Sequence, residues 1–311
     1  MKPSFILLTL TFLILNSCNK NHISYTKKNG AMIVAIDEKP VLSYQYETMY
    51  PPAGVDSAFQ RSGYIHPLKT LSGHTLTWIQ PEDHYHHYGL WNPWTHVLFE
   101  KDTLDFWNLK KKEATVRFAD FKEISRNKFS VLQEHVVLKD GEEKIALNEV
   151  QTIEFNKLSD EQYTIDFTID YSCATDSPFK ILEYRYAGFS IRATEKWNAE
   201  NSKVISSEVQ TRDEIDGTLG KWVLVQGELG NDYGGFLLLS NTSNFNHPEP
   251  LRVWPKGNHE GWIFVNFAPT KTKDWLLEPG KIYTLKYRMV VSNTEISADE
   301  AEEFWTTYTN H

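Results

Sequence analysis

From Tyr163 to Cys173 the chain alternates apolar and polar side chains without a break. Tyr163, Ile165, Phe167, Ile169, Tyr171 and Cys173 share one face, and Thr164, Asp166, Thr168, Asp170 and Ser172 share the other. A period of two over that length is a β-strand with one wet face. Asp166 and Asp170 are therefore expected on the solvated face, not as a catalytic pair. Asp140-Gly141 separates the apolar runs Phe129–Leu138 and Lys144–Phe155 and predicts a tight hairpin. Further strands are predicted over Ala31–Ile36, Val41–Tyr46, Trp222–Leu229, Gly235–Ser240, Ile263–Phe267 and Tyr283–Ser292. Only the last segment reads as helix. Ser297-Ala-Asp-Glu300 is a capping box, and Ala301, Phe304, Trp305 and Tyr308 recur at helical spacing. Many strands, regular turns and no strand–helix alternation predict an all-β fold. We expect a large antiparallel β-sandwich over residues 31–311, one domain, with a short C-terminal helix.

The apolar run Phe5–Leu15 is too short to span a bilayer but suits the core of a signal peptide. It ends in Leu15-Asn16-Ser17-Cys18, which resembles the lipobox of bacterial lipoproteins. That resemblance implies removal of residues 1–17, lipidation of Cys18 and a tether over residues 18–30. No later segment is apolar for long enough to cross a membrane as a helix. The expected product is a protein of the bacterial cell envelope, facing the periplasm or cell surface and held to the membrane through its lipid alone. With Cys18 committed, Cys173 has no disulfide partner and reads as a small core residue. A formal charge of −9 with no basic block excludes a nucleic-acid footprint.

The chemistry is concentrated early. Six of the eleven histidines fall between residues 66 and 96: His66, His74, His84, His86, His87 and His96. Imidazole titrates near neutrality, so it can give and take a proton, and its neutral form is a common metal ligand. In an extended chain His84 and His86 would face one way, with Asp83 and His87 facing the other; in a turn all four would converge. Asp83 could then orient an imidazole as a carboxylate behind the ring. Later, Glu183 and Arg185 would lie on one face of a strand, and His247 sits in a polar loop. Aromatic residues make up 14% of the chain, and several tryptophans stand in polar surroundings, as in Trp91-Asn-Pro-Trp94 and Arg252-Val-Trp-Pro255. Such rings suit the C–H faces of sugars. Glycine loops for phosphate, dinucleotide fingerprints, nucleophile elbows, Cys-x-x-Cys pairs and the His-Glu-x-x-His helix are all absent from the sequence.

The stretch Tyr64–Thr77, with its His-Pro-Leu and Ser-Gly pieces, precedes the block Asp83-His-Tyr-His-His-Tyr-Gly-Leu-Trp91. Together with Asp105-Phe-Trp107, Glu183–Arg192, Asp232-Tyr-Gly-Gly235 and Asn246-His-Pro248, they resemble an uncharacterised bacterial family labelled "methane oxygenase PmoA-like". Asn92-Pro93 departs from that pattern. The resemblance implies a β-supersandwich of the galactose-mutarotase type and a setting in carbohydrate degradation.

The preferred reading is an envelope carbohydrate-active enzyme that moves protons on a sugar or oligosaccharide by elimination, hydrolysis or epimerisation. His84 and His86 are the acid/base candidates, oriented by Asp83. His66, His74, Trp91, Trp94, Glu183, Arg192 and His247 are the substrate-binding candidates. His84, His86 and His87 are the candidate ligands of a divalent metal ion. The alternatives are a non-catalytic sugar-binding lipoprotein and a metal-dependent oxygenase.

Overall fold

The computed structural model describes residues 22–310. The predicted signal peptide and the lipidation site Cys18 lie outside the described residues. Two large antiparallel sheets face each other. The first has nine strands, in spatial order Ile23–Lys28, Ala31–Ile36, Lys39–Gln45, Tyr64–Leu68, Leu90–Trp91, Ser190–Arg192, Phe264–Phe267, Glu249–Val253 and Leu219–Gly220. The second has eight: Ser202–Ser206, Trp222–Glu228, Tyr233–Ser240, Tyr283–Ser292, Gln162–Cys173, Glu142–Lys157, Lys128–Lys139 and Ala114–Ile124. A small sheet of four short strands, which includes Val97–Phe99 and Phe179–Ile181, closes one end. Val34, Leu42, Ile191 and Val265 of the first sheet meet Phe129, Ile153, Phe167 and Met289 of the second in one continuous core. The fold is an all-β sandwich, as the alternation predicts.

The helix Ala298–Thr309 opens with the expected capping box: the Ser297 hydroxyl accepts from the Glu300 N–H, and the Glu300 carboxylate accepts from the Ser297 N–H at 2.8 Å. Its Ala301, Phe304, Trp305 and Tyr308 pack on Trp222, Leu224, Leu237 and Leu239, on the outer face of the eight-stranded sheet. Strands covered on both faces have no wet side, so Trp222–Glu228 and Tyr233–Ser240 read as unbroken apolar runs. On Gln162–Cys173 the polar face is not bare. Asp166 accepts two hydrogen bonds from Arg288, at 2.5 and 2.7 Å, and Asp170 accepts from Thr284 at 2.5 Å. Among the described residues no helix is long and apolar enough to cross a membrane.

One boundary needs correction. Ile23–Lys28, expected to be tether, is the edge strand of the nine-stranded sheet and pairs with Ala31–Ile36. The turn between them is Asn29-Gly30, with φ of 50° and 75°, a hairpin signal already present in the sequence. Cys173 is half-buried against the core with Sγ 3.3 Å from the Leu277 carbonyl, and burial pushes its thiol pKa up. This is the setting of a packing residue, not of an activated nucleophile. Asn92, the departure from the motif pattern, points inward. It donates to Glu149 at 3.1 Å and to the Tyr171 hydroxyl, and Glu149 also contacts His135 at 2.7 Å in the fully buried interior.

A second buried carboxyl shapes the pH response. Glu249 is completely buried and accepts from Ser240 at 2.5 Å, Asn244 at 2.8 Å and Tyr287 at 2.9 Å. Desolvation outweighs these bonds and raises its pKa from 4.5 to about 7. Between pH 4.5 and about 7 the folded chain keeps a proton that the unfolded chain has released. Stability therefore falls as pH rises through that window and levels off above it. Urea denaturation across pH 5 to 8 should show this slope, worth on the order of 3 kcal/mol, and Glu249→Gln should flatten it. An unchanged slope in the variant would assign the dependence elsewhere.

Candidate active site

The histidine block forms the tip of a narrow hairpin standing on the nine-stranded sheet. Its legs are tied by Gly89 N–H to Trp78 carbonyl at 3.0 Å and by Gln80 N–H to His87 carbonyl at 2.7 Å. Two turns follow each other at the tip, closed by His84 N–H to Pro81 carbonyl at 2.9 Å and His87 N–H to His84 carbonyl at 3.0 Å. Successive turns coil the backbone, so His84, His86 and His87 converge instead of alternating. One nitrogen from each ring lies within 4.8 Å of the others. Gly89 makes the close seating possible. Its φ is +69°, and a Cβ there would stand 2.5 Å from the Ile65 carbonyl oxygen.

Arg192 anchors the hairpin from below. It ends the strand Ser190–Arg192, is fully buried, and lies against the rings of Trp78, Trp254 and Trp262 at 5.0, 4.6 and 5.5 Å. Its Nη2 donates to both oxygens of Asp83, at 3.1 and 3.2 Å. Burial lowers the guanidinium pKa and Asp83 opposes that shift. Asp83 Oδ2 also lies 2.9 Å from His84 Nδ1 and 3.7 Å from His259 Nδ1. The His84 contact has the distance of an ion pair without the alignment of a hydrogen bond. His259 stacks on Trp254 at 3.7 Å and reaches the cluster from Pro255–Gly261, on the far side of the sequence.

The imidazoles wall a pocket of about 200 Å³. Facing them are Asp105, Trp107, Tyr184, Arg185, Tyr186 and Trp254, with Thr95, His96 and Asn108 completing the lining. Asp105 accepts at one oxygen from the N–H groups of Trp107 and Asn108, at 2.9 and 2.8 Å. Burial, helped by His84, holds His86 at a pKa of about 4. Burial and then His86 hold His87 well below the ordinary value. Both rings are neutral at pH 7. In that form each ring offers a lone pair.

Three imidazoles converging beside a pocket are a donor set suited to a divalent metal with an open coordination position. Residues 31–306 match the model of a family of unknown function, DUF6807. The chain belongs to that family. The match carries no methane-oxygenase label and no activity. No curated protein matches the chain. Among solved structures, a polysaccharide lyase matches 93% of this chain and 34% of its own at 12% identity and a TM-score of 0.38. The heparan sulfate lyase HepC from Pedobacter heparinus matches 88% and 35% at 7% identity and a TM-score of 0.36. This DUF6807 chain thus spans about a third of the length of each.

Within this DUF6807 fold, several expected site residues sit elsewhere. Trp91 and Trp94 are buried: Trp91 backs His87 at 5.1 Å, and Trp94 packs on Tyr171 and Trp275 in the core. Neither offers a ring face to a ligand. The His66 ring bonds Thr77 Oγ1 at 3.0 Å, and burial lowers its pKa to about 4, outside the pocket lining. His74 pairs with Asp232 at 2.9 Å. His247 stacks over Trp305 and meets Ser240 at 3.3 Å, beside Glu249. Glu183 is exposed in a loop, not on a strand face, and is absent from the lining, where Arg185 is present. Arg192 belongs to the site as the anchor of Asp83, not as a substrate contact. The rings in the pocket wall are Trp107, Tyr184, Tyr186 and Trp254; the two tyrosines are part-exposed, and Trp107 and Trp254 are buried behind the surface. Only Trp254 lay in a stretch flagged by its polar surroundings.

Asp83→Asn should leave the Arg192 guanidinium buried without its counter-charge. The expected loss in unfolding free energy is about 2–3 kcal/mol, less than for a fully enclosed pair because Asp83 is 22% exposed. Adding Arg192→Met, which fills the space between the indoles without a charge, should recover part of that loss. A double variant less stable than Asp83→Asn alone would refute this account.

Proposed function

We propose that this chain is a carbohydrate-active enzyme of the bacterial cell envelope that holds a divalent metal on His84, His86 and His87 and moves protons on a bound sugar. The observation that carries the reading is the convergence of three imidazoles on one wall of a pocket whose other walls are aromatic rings and polar groups. Sugar rings match such walls, with C–H faces for the part-exposed Tyr184 and Tyr186 and hydroxyls for Asp105 and Asn108. Asp83 places a carboxylate 2.9 Å from His84 Nδ1, beside the ring that would hold the ion. The bound ion would supply Lewis acidity toward a sugar oxygen. Asp105 is placed to accept a proton or a hydroxyl hydrogen bond, since two backbone N–H groups fix one of its oxygens and orient the other. Proton transfer at a ring carbon or glycosidic oxygen, by elimination, hydrolysis or epimerisation, is the chemistry this set supports.

The test combines metal content with turnover. Protein purified without chelator should carry close to one divalent ion per chain. His84→Gln, His86→Gln and His87→Gln should each lose it, and chelator should abolish turnover of plant or algal oligosaccharides. The wild type failing to retain zinc or manganese, with all three variants unchanged in turnover, would overturn the metal reading. Metal retention with sugar binding but no turnover on any oligosaccharide would favour a binding lipoprotein. Consumption of dioxygen would favour the oxygenase reading. The location is tested separately. Cys18→Ser should move the protein from the membrane pellet into the soluble fraction, and persistence of the variant in the pellet after a high-salt wash would contradict a lipid anchor.

A further inference from the structure

Arg185 is the one guanidinium in the pocket lining. It is exposed, lies 5.3 Å from the Tyr186 ring, and has no carboxylate partner among the described residues. Of the other arginines near the site, Arg212 is buried with its donors taken by the carbonyls of Trp254, Gly261 and Trp262, and two more are ion-paired. Arg192 is bound to Asp83, and Arg252 Nη1 lies 2.7 Å from Asp216. In a chain of net charge −9, one unpaired arginine at a pocket is not part of a general basic surface.

Beside it stands a phenol with an enforced role. The Tyr186 hydroxyl oxygen accepts from Arg252 Nη2 at 3.0 Å and from Trp254 Nε1 at 3.2 Å. An oxygen that accepts twice keeps its own proton for donation. The pocket's only carboxylate, Asp105, has one oxygen occupied by two backbone N–H groups. Neither Arg185 nor the Tyr186 hydroxyl has a protein acceptor to satisfy it among the described residues.

We propose that the pocket takes a sugar bearing an anionic group, a uronate carboxylate or a sulfate ester. Arg185 binds the anionic oxygens, and the Tyr186 hydroxyl donates to a neighbouring sugar oxygen. This rests on the carbohydrate reading above and names its substrate class. Guanidinium presents parallel N–H groups to such oxygens, a charge-assisted geometry stronger than a neutral hydroxyl contact.

Trp107 and Trp254 in the walls make intrinsic fluorescence the readout. The full soluble chain is titrated at constant ionic strength with glucuronate, glucose 6-sulfate, glucose and sodium acetate. At least one acidic sugar should half-saturate at about tenfold lower concentration than glucose, roughly one charge-assisted contact. The two acidic sugars distinguish carboxylate from sulfate. Arg185→Gln should bring both to the level of glucose, and Arg185→Lys should retain part of the preference. As Arg185 is exposed, both variants should melt with the wild type. Glucose binding as tightly as both acidic sugars, or a preference unchanged in Arg185→Gln, overturns the proposal, as does no response to any of the four. Acetate binding lost in Arg185→Gln, with no sugar bound more tightly than acetate, overturns the sugar assignment and with it the carbohydrate reading, while the metal test stands apart.

Discussion

A single charge pair ties the reactive part of this molecule to its rigid part. Arg192 is delivered by a central strand of the nine-stranded sheet and sealed beneath three indoles; Asp83 is delivered by the tip of a hairpin. A guanidinium stripped of water is costly unless a carboxylate stays beside it. Any opening of the hairpin that withdraws Asp83 strands that charge. The histidines flanking Asp83 inherit the restraint. The pair's contribution to net stability is secondary to this: it makes one position of the turn far better than its neighbours.

The same burial decides what the histidines can do. His86 and His87 pack among Trp254, Trp91, Phe264 and each other, where a charged ring has no counterion of its own. Asp83 is already shared between Arg192, His84 and His259. Protonating the cluster would place cations against one another in an apolar wall. Burial therefore favours the neutral form of His86 and His87.

The fold was readable because its strands are long and alternate. Tyr163–Cys173 reports its pairing register directly, and Ser297-x-x-Glu300 states where the helix begins. The convergence of Asp83, His84, His86 and His87 was readable only as one of two conformations, since alternation sends His84 and His86 one way and a turn gathers all four. The decisive features, two successive backbone turns and Gly89 fitting against Ile65, are tertiary. The edge strand Ile23–Lys28 went unread although Asn29-Gly30 signals it, because the short strand alternates poorly. His259 lies 172 residues beyond His87 and joins the site by stacking on Trp254 and approaching Asp83 and His84.

Aromatic residues show most clearly where local pattern stops being informative. Trp91 and Trp94 stand among polar neighbours in sequence, yet Leu90–Trp91 is a strand of the central sheet and Trp94 turns into the core. Polar neighbours report the opposite face of a short strand, not the exposure of the indole. Trp107 and Tyr186 look unremarkable in sequence, but each sits in irregular backbone, where Asp105 caps two N–H groups and Arg252 reaches a phenol. Irregular backbone must satisfy its polar groups with side chains, and those side chains then lie beside the rings they support. A pocket built of rings with polar rims emerges where regular pairing ends. The sheets therefore supply the anchor, Arg192, and the loops supply nearly everything a ligand would touch.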